Sequence, residues 1–173
     1  GLGDVYKRQG SWASSPKYLT AVGNTLYFEA NDGINGAELW KSDGTASGTV
    51  MVKDINSGSG GGSLGYLTAV GNTLYFRANE GTNGVELWKS DGTESGTMMV
   101  KNIRSSGSGS SYPIYLTAVG NTLYFQANDG TNGDELWKSD GTASGTVMVK
   151  DIRSGSSSGS PYELTAVGST LYF

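Results

Sequence analysis

The chain has 173 residues, 36% of them hydrophobic, with 28 glycines, three prolines and a formal net charge of −4. It contains neither cysteine nor histidine, which excludes disulfides, thiolate metal sites and imidazole chemistry. The acidic balance and the lack of a basic run in the repeated part argue against nucleic acid as a partner. No apolar stretch approaches the roughly 20 residues that a membrane helix needs, so no membrane insertion is expected.

Residues 1–9 match nothing later in the chain. The segment DVYKRQ, from Asp4 to Gln9, reads as a translated sequencing adapter, so 1–9 is set apart as an assembly scar and 10–17 as a partial linker. From residue 18 the chain repeats: Leu19, Leu67, Leu116 and Leu164 are equivalent, at steps of 48, 49 and 48 residues. The units run 18–65, 66–114 and 115–162, and a fourth begins at 163 and stops at Phe173 within the repeat. The expectation is a fragment of a longer protein.

Within the first unit, YLTAV predicts a strand, GN a two-residue hairpin turn, and TLYFEA the next strand. NDGING follows as a longer turn, ELWKS as a third strand, DGTASG as another turn, and TVMVKDI as a fourth strand. NSGSGGGSLG then has the composition of a flexible linker. On the second strand Leu26, Phe28 and Ala30 face one way, Tyr27 and Glu29 the other. On the fourth, Val50 and Val52 oppose Met51 and Ile55. Both faces are largely apolar, so each sheet expects a neighbour on each side. A period of roughly 40–50 residues with four strands marks a β-propeller blade. The fold expected is all-β: a β-propeller fragment, an open arc of about three and a half four-stranded antiparallel blades. A β-solenoid or β-roll is the rival, with usually shorter repeats. Which strand lies innermost stays open. Such an arc is expected to associate through its uncovered blade faces.

The packet ELWKSDGT recurs at Glu38–Thr45, Glu86–Thr93 and Glu135–Thr142. With its surroundings, GNTLYFEANDGINGAELWKSDGTASGTVMVKDI, it resembles the ELWxxDGT-repeat family of bacterial proteins, mostly secreted or surface-bound and sometimes labelled hyalin-like. The resemblance covers 18–173. It implies a propeller-like fold and an extracellular or cell-surface location, and no established catalytic activity.

Glu38 and Asp43 are five positions apart, which sends them to opposite faces of a strand. Asp43 reads better as the acceptor of an Asx-turn than as half of a catalytic pair. No catalytic residue is expected, and the chain is expected not to be an enzyme. Trp40, Trp88 and Trp137 fit blade-to-blade packing, with sugar stacking as the alternative. Asn31, Asp32 and Asn35, with Asn79, Glu80 and Asn83 or Asn128, Asp129 and Asn132 in the later copies, offer calcium-type oxygens; a Gly/Asn-rich turn explains the same letters. No other cofactor is expected. The copies differ at Glu29, Arg77 and Gln126, at Ala37, Val85 and Asp134, and at Asn56, Arg104 and Arg153, positions where a partner would be read or where a solvated surface drifts. Glu29 and Arg77 are also placed to pair between blades. GGGSLG at 60–65 fits a phosphate-loop spelling, but it leads into a strand rather than a helix. The function expected is a non-enzymatic structural or adhesive propeller segment of an exported bacterial repeat protein. A carbohydrate-binding propeller with equivalent sites between blades is the alternative, and a propeller enzyme with its catalytic residues elsewhere is a weaker one. The partners expected are further repeats of the parent protein, and glycans or surface proteins.

Overall fold

The computed structural model describes residues 14–106 and 109–173. The expected scar, 1–9, and residues 10–13 of the partial linker lie outside the described residues. Every regular element described is a strand. The first blade holds β1 (Lys17–Val22), β2 (Thr25–Asn31), β3 (Ala37–Ser42) and β4 (Val50–Lys53). The second holds β5 (Gly65–Val70), β6 (Thr73–Asn79), β7 (Val85–Ser90) and β8 (Met98–Lys101). The third holds β9 (Ile114–Val119), β10 (Thr122–Asn128), β11 (Asp134–Ser139) and β12 (Val147–Lys150), and β13 (Thr165–Val167) and β14 (Thr170–Tyr172) open the fourth. Each complete blade is an antiparallel meander in chain order, and β13 and β14 pair as a two-stranded sheet. The all-β, propeller-like fold read from the sequence is the fold observed.

Local chemistry sets the hairpins. Val22 pairs with Thr25 across Gly23 and Asn24, and Gly23 takes φ +57°, the sign that a II′ turn needs at its first central position. The fourth strand is shorter than TVMVKDI predicts and stops at Lys53. The amides of Ile55 and Asn56 leave the ladder to donate to the carboxylate of Glu38, at 2.9 and 3.3 Å. Strand parity therefore fails beyond Lys53: Ile55 packs in the same cluster as Val52, not opposite to it.

The blades stack through two apolar layers. Tyr27, Leu39, Val52 and Ile55 of the first blade meet Leu74, Phe76, Ala78 and Trp88 of the second. Tyr75, Leu87, Val100 and Ile103 of the second meet Leu123, Phe125, Ala127 and Trp137 of the third. The alternating faces read from the sequence are the two sides of these layers. Leu74, Phe76, Leu123 and Phe125 have no exposed surface, and burying each such side chain contributes about 1.5–3 kcal/mol.

The first strand of each blade is the innermost. β1 packs beside β5, β5 beside β9, and β9 beside β13. Thr20 Oγ1 donates to Leu67 O at 3.2 Å, Thr68 Oγ1 to Leu116 O at 3.2 Å, and Thr117 Oγ1 to Leu164 O at 3.0 Å, so a hydroxyl rung joins each inner strand to the next.

The glycine-rich connection after β4 is held, contrary to its linker-like composition. Gly62 N donates to Ala37 O at 2.9 Å, and Asn79 N of the next blade donates to Gly62 O at 2.8 Å. Asn31 N to Ser14 O and Asn128 N to Ser111 O repeat the second bond at 3.0 Å each. Residues 107 and 108 of the second connection lie outside the described residues.

Candidate functional site

The recurring packet divides its side chains between holding its own blade's turn and connection and meeting the neighbouring blade. Glu38, Glu86 and Glu135 have no exposed surface. Each carboxylate collects amides from the connection that leaves its own blade. Glu86 accepts from Ile103 N at 2.9 Å, Ser111 N at 3.0 Å and Ser111 Oγ at 2.6 Å; Glu135 accepts from Ile152 N at 2.8 Å and Gly159 N at 2.7 Å. Burial pushes the Glu38 carboxyl up to about 7, against the lowering effect of the Ile55 and Asn56 amides. Burial likewise raises Glu86, against the hydrogen bonds from Ser111 and Ile103. The lysine of the packet reaches the next blade: Lys41 Nζ donates to Gly92 O at 2.7 Å and Lys89 Nζ to Gly141 O at 2.8 Å.

The aspartates close their turns, as the Asx reading has it. Asp43 Oδ1 accepts from Thr45 N at 2.9 Å and Thr45 Oγ1 at 2.7 Å, and Asp91 and Asp140 do the same with Thr93 and Thr142. These bonds, the hydroxyl's first, hold all three carboxyls below the ordinary aspartate value. The packet glycines of the second and third blades admit a neighbour, whereas Gly44 of the first faces open space. A Cβ on Gly92 would sit 2.3 Å from the Tyr27 hydroxyl, and one on Gly141 2.3 Å from that of Tyr75.

The tryptophans pack. Trp88 and Trp137 are 5% and 6% exposed within the layers between blades, and Trp40 is half-buried. All three indole Nε1 groups are buried without a hydrogen-bond partner. Lys101 Nζ lies 5.9 Å from the Trp137 ring centroid. In these positions the rings of Trp88 and Trp137 are covered by protein and offer no open platform.

The oxygens of the NDGING-type turns serve the turns. Asn31 Oδ1 accepts from Gly33 N at 2.7 Å, and Asp32 Oδ1 accepts from Ile34 N and Asn35 N at 2.8 Å each. Asn79 Oδ1 accepts from Gly81 N at 2.7 Å and Glu80 Oε1 from Asn83 N at 2.9 Å. Asn128 Oδ1 accepts from Gly130 N, and Asp129 Oδ1 from Thr131 N and Asn132 N, at 2.8 Å each. Burial pushes Asp32 and Asp129 up, but these amides outweigh it and leave both carboxyls lowered.

A different set of residues faces solvent at the axial end where β1 begins and β2 ends. Lys17 pairs with Glu29 but Thr20 with Tyr27, so β1 carries one extra residue there, a bulge that β5 and β9 repeat. Within the bulge Tyr18, Tyr66 and Tyr115 take φ +57°, +56° and +56°, and Glu163 takes +53° in the fourth blade. A bulky residue in this left-handed region is a true outlier. The three rings remain 47%, 38% and 37% exposed. Tyr66 and Tyr115 meet edge to face, with centroids 6.3 Å apart.

The variable position on the second strand lies beside these rings. Arg77 places its guanidinium carbon 4.9 Å from the Tyr66 centroid. It faces Gly65, where a Cβ would come within 2.9 Å of Arg77 Nε. The equivalent facing pairs are Lys17 with Glu29 and Ile114 with Gln126. Glu29 and Arg77 do not pair with each other: Glu29, raised by burial, is relieved by Lys17, while Arg77 lies over the Tyr66 ring. Tyr18, Tyr66 and Arg77 together line a concavity of about 430 Å³. Sequence reasoning singled out Arg77 and missed the tyrosines, which read there as ordinary first residues of a strand. The available signal was an aromatic at one position in three units, with Glu163 in the fourth. Of the remaining variable positions, Arg104 fills the space beside Gly109 and Gly130 of the next blade's turn, and Asn56 Nδ2 donates to Gly61 O at 3.0 Å.

Comparison with family models gave no match, and comparison with curated proteins gave none.

Proposed function

We propose that this chain is a non-enzymatic structural and adhesive propeller segment of an exported bacterial repeat protein. The observation that carries the reading is the use of the packet. Its glutamate and aspartate make the same contact in all three complete blades, its lysine reaches the next blade from the first two, and its glycine receives the preceding blade's tyrosine in the last two; each contact serves a turn, a connection or the neighbouring blade. Chemistry confined to one copy would break that symmetry, whereas multivalent contact is strengthened by it. The export part rests on the resemblance to the ELWxxDGT repeats.

The test combines turnover and retention. The chain is incubated with polysaccharide, peptide, carboxylic-ester and phosphoester substrates and the products are read by mass spectrometry. Beads coated with it are washed over bacterial surface polysaccharide. No product, with bead retention that rises with the number of complete blades displayed, is expected. Turnover abolished by replacing a single carboxylate in one blade would overturn the proposal.

A further inference from the structure

Most polar groups of the blades are spent inside the fold. The buried glutamates hold the connections, and the aspartates beside the two hollows on the opposite end are closed into their turns. The axial groove is different. Among the described residues, the phenol hydroxyls of Tyr18 and Tyr66 make no hydrogen bond, and Arg77 makes neither a hydrogen bond nor an ion pair; its Nε is buried without a partner.

We propose that the groove lined by Tyr18, Tyr66 and Arg77 binds a carboxylate-bearing sugar residue of an acidic polysaccharide. The groove, about 430 Å³, falls in the roughly 300–1,000 Å³ range of small-molecule sites. Two half-exposed rings offer flat surfaces to the C–H faces of a pyranose, and their hydroxyls offer hydrogen bonds to its oxygens. The guanidinium supplies a planar donor fork, which matches a carboxylate in bidentate fashion. Tyr66 orients that fork from one side, and Gly65 leaves room for it on the strand opposite.

The backbone supports the assignment. A left-handed conformation costs about 1–2 kcal/mol for a residue with a Cβ, and glycine would relieve it. The bulge nevertheless carries tyrosine in three blades. Strain of this kind concentrates where a side chain must be presented. Charge narrows the ligand further. Net charge is −4 and Glu163 takes the tyrosine position in the fourth blade, so a sugar with a single negative charge suits the face better than a densely sulfated polymer. At this groove a peptide adding itself as a strand would need a free inner-strand edge, and the inner strands lie against one another.

The site gives the adhesive reading its contact but does not depend on it: blade stacking is measured separately by thermal unfolding. The experiment is calorimetric titration of the chain with a galacturonic acid trisaccharide, its methyl ester, a sulfated disaccharide and a tetraglutamate peptide. The acid is expected to bind, and the ester at least about 10-fold more weakly, because it keeps the ring faces and loses the charge. Arg77→Gln is expected to lose at least about 10-fold for the acid and clearly less for the ester, which keeps only a neutral carbonyl acceptor. The substitution copies the glutamine found at position 126, so the fold has a precedent for it. Arg77→Lys, which keeps the charge without the fork, should fall between. Equal binding of acid and ester would overturn the proposal. So would equal or tighter binding of the sulfated sugar or the peptide, or no heat with the acid up to about 10 mM. The acid–ester comparison needs no variant, so a misfolded variant leaves the proposal testable.

Discussion

Glutamate in a strand with no exposed surface invites a catalytic or metal-binding reading, yet Glu38, Glu86 and Glu135 act as acceptors for their own connections. Their partners lie 17 to 25 residues away in sequence, so no local spacing exposes the role. Replacing Glu86 with alanine leaves the Ile103 amide without its acceptor and the Ser111 amide and hydroxyl with only Val85 O, at 3.1 and 3.5 Å, at an expected cost of about 2–4 kcal/mol; Glu86→Gln keeps one acceptor oxygen and should cost less than half of that. Urea unfolding of both variants checks this, and equal losses would refute the acceptor role. Protonation gives a second handle. With a folded value near 7 and an ordinary value of 4.5, Glu38 binds its proton more tightly in the folded chain than in the unfolded one. Its contribution is therefore fully present below pH 4.5 and lost as pH rises through 7, by on the order of 3 kcal/mol. Glu86 adds to the same slope. Asp32, Asp43, Asp91, Asp129 and Asp140 work the other way: their folded values are lowered, so what they contribute is present above pH 3.8 and lost as pH falls below it. Thermal stability should peak near pH 4–5 and decline towards neutrality, and Glu38→Gln should flatten the decline. A melting temperature that climbs from pH 4.5 to 7 would contradict this assignment.

Strands and hairpins were legible from the chain because each depends on neighbours in sequence: alternation sets the faces, and a glycine sets the turn. The connection after the fourth strand was misread for the opposite reason. Its letters, NSGSGGGSLG, are those of a flexible tether, and glycine is needed there for close approach instead. Gly36 and Gly61 have φ +77° and +70°, and a Cβ on Gly36 would lie 2.5 Å from Gly61 N. Gly36→Ala should therefore cost more than about 2 kcal/mol, whereas Gly23→Ala, with the same sign of φ but open space, should cost only about 1 kcal/mol. Equal shifts in denaturation midpoint would mean that the connection yields freely. The bulge that turns Tyr18, Tyr66 and Tyr115 outward was equally hidden, since alternation assigns faces but cannot announce an extra residue in a ladder.

Blades are joined by repeated contacts between nearest neighbours, so stability should divide into blade and interface contributions. The interface is testable at one point. Gly92→Ala drives a methyl group against the Tyr27 hydroxyl and should destabilise by about 2–3 kcal/mol; adding Tyr27→Phe removes the obstructing oxygen and should recover about 1 kcal/mol. Additive losses in the double variant would place Tyr27 and Gly92 out of contact. Period-two apolar patterning, a step of 48 to 49 residues and aspartate–glycine turns were enough to establish an all-β repeat whose sheets need cover on both faces. They also sufficed to make Asp43 a turn residue, because its partner is Thr45, two positions on. The order of the strands about the axis, the buried glutamate straps and the division of the aromatics came from assembly alone. Trp88 and Tyr66 look equally available in the chain; a neighbouring blade covers the first and the bulge turns the second into solvent. Local sequence reports which face a side chain takes, whereas its exposure depends on what packs against that face from nearly 50 residues away.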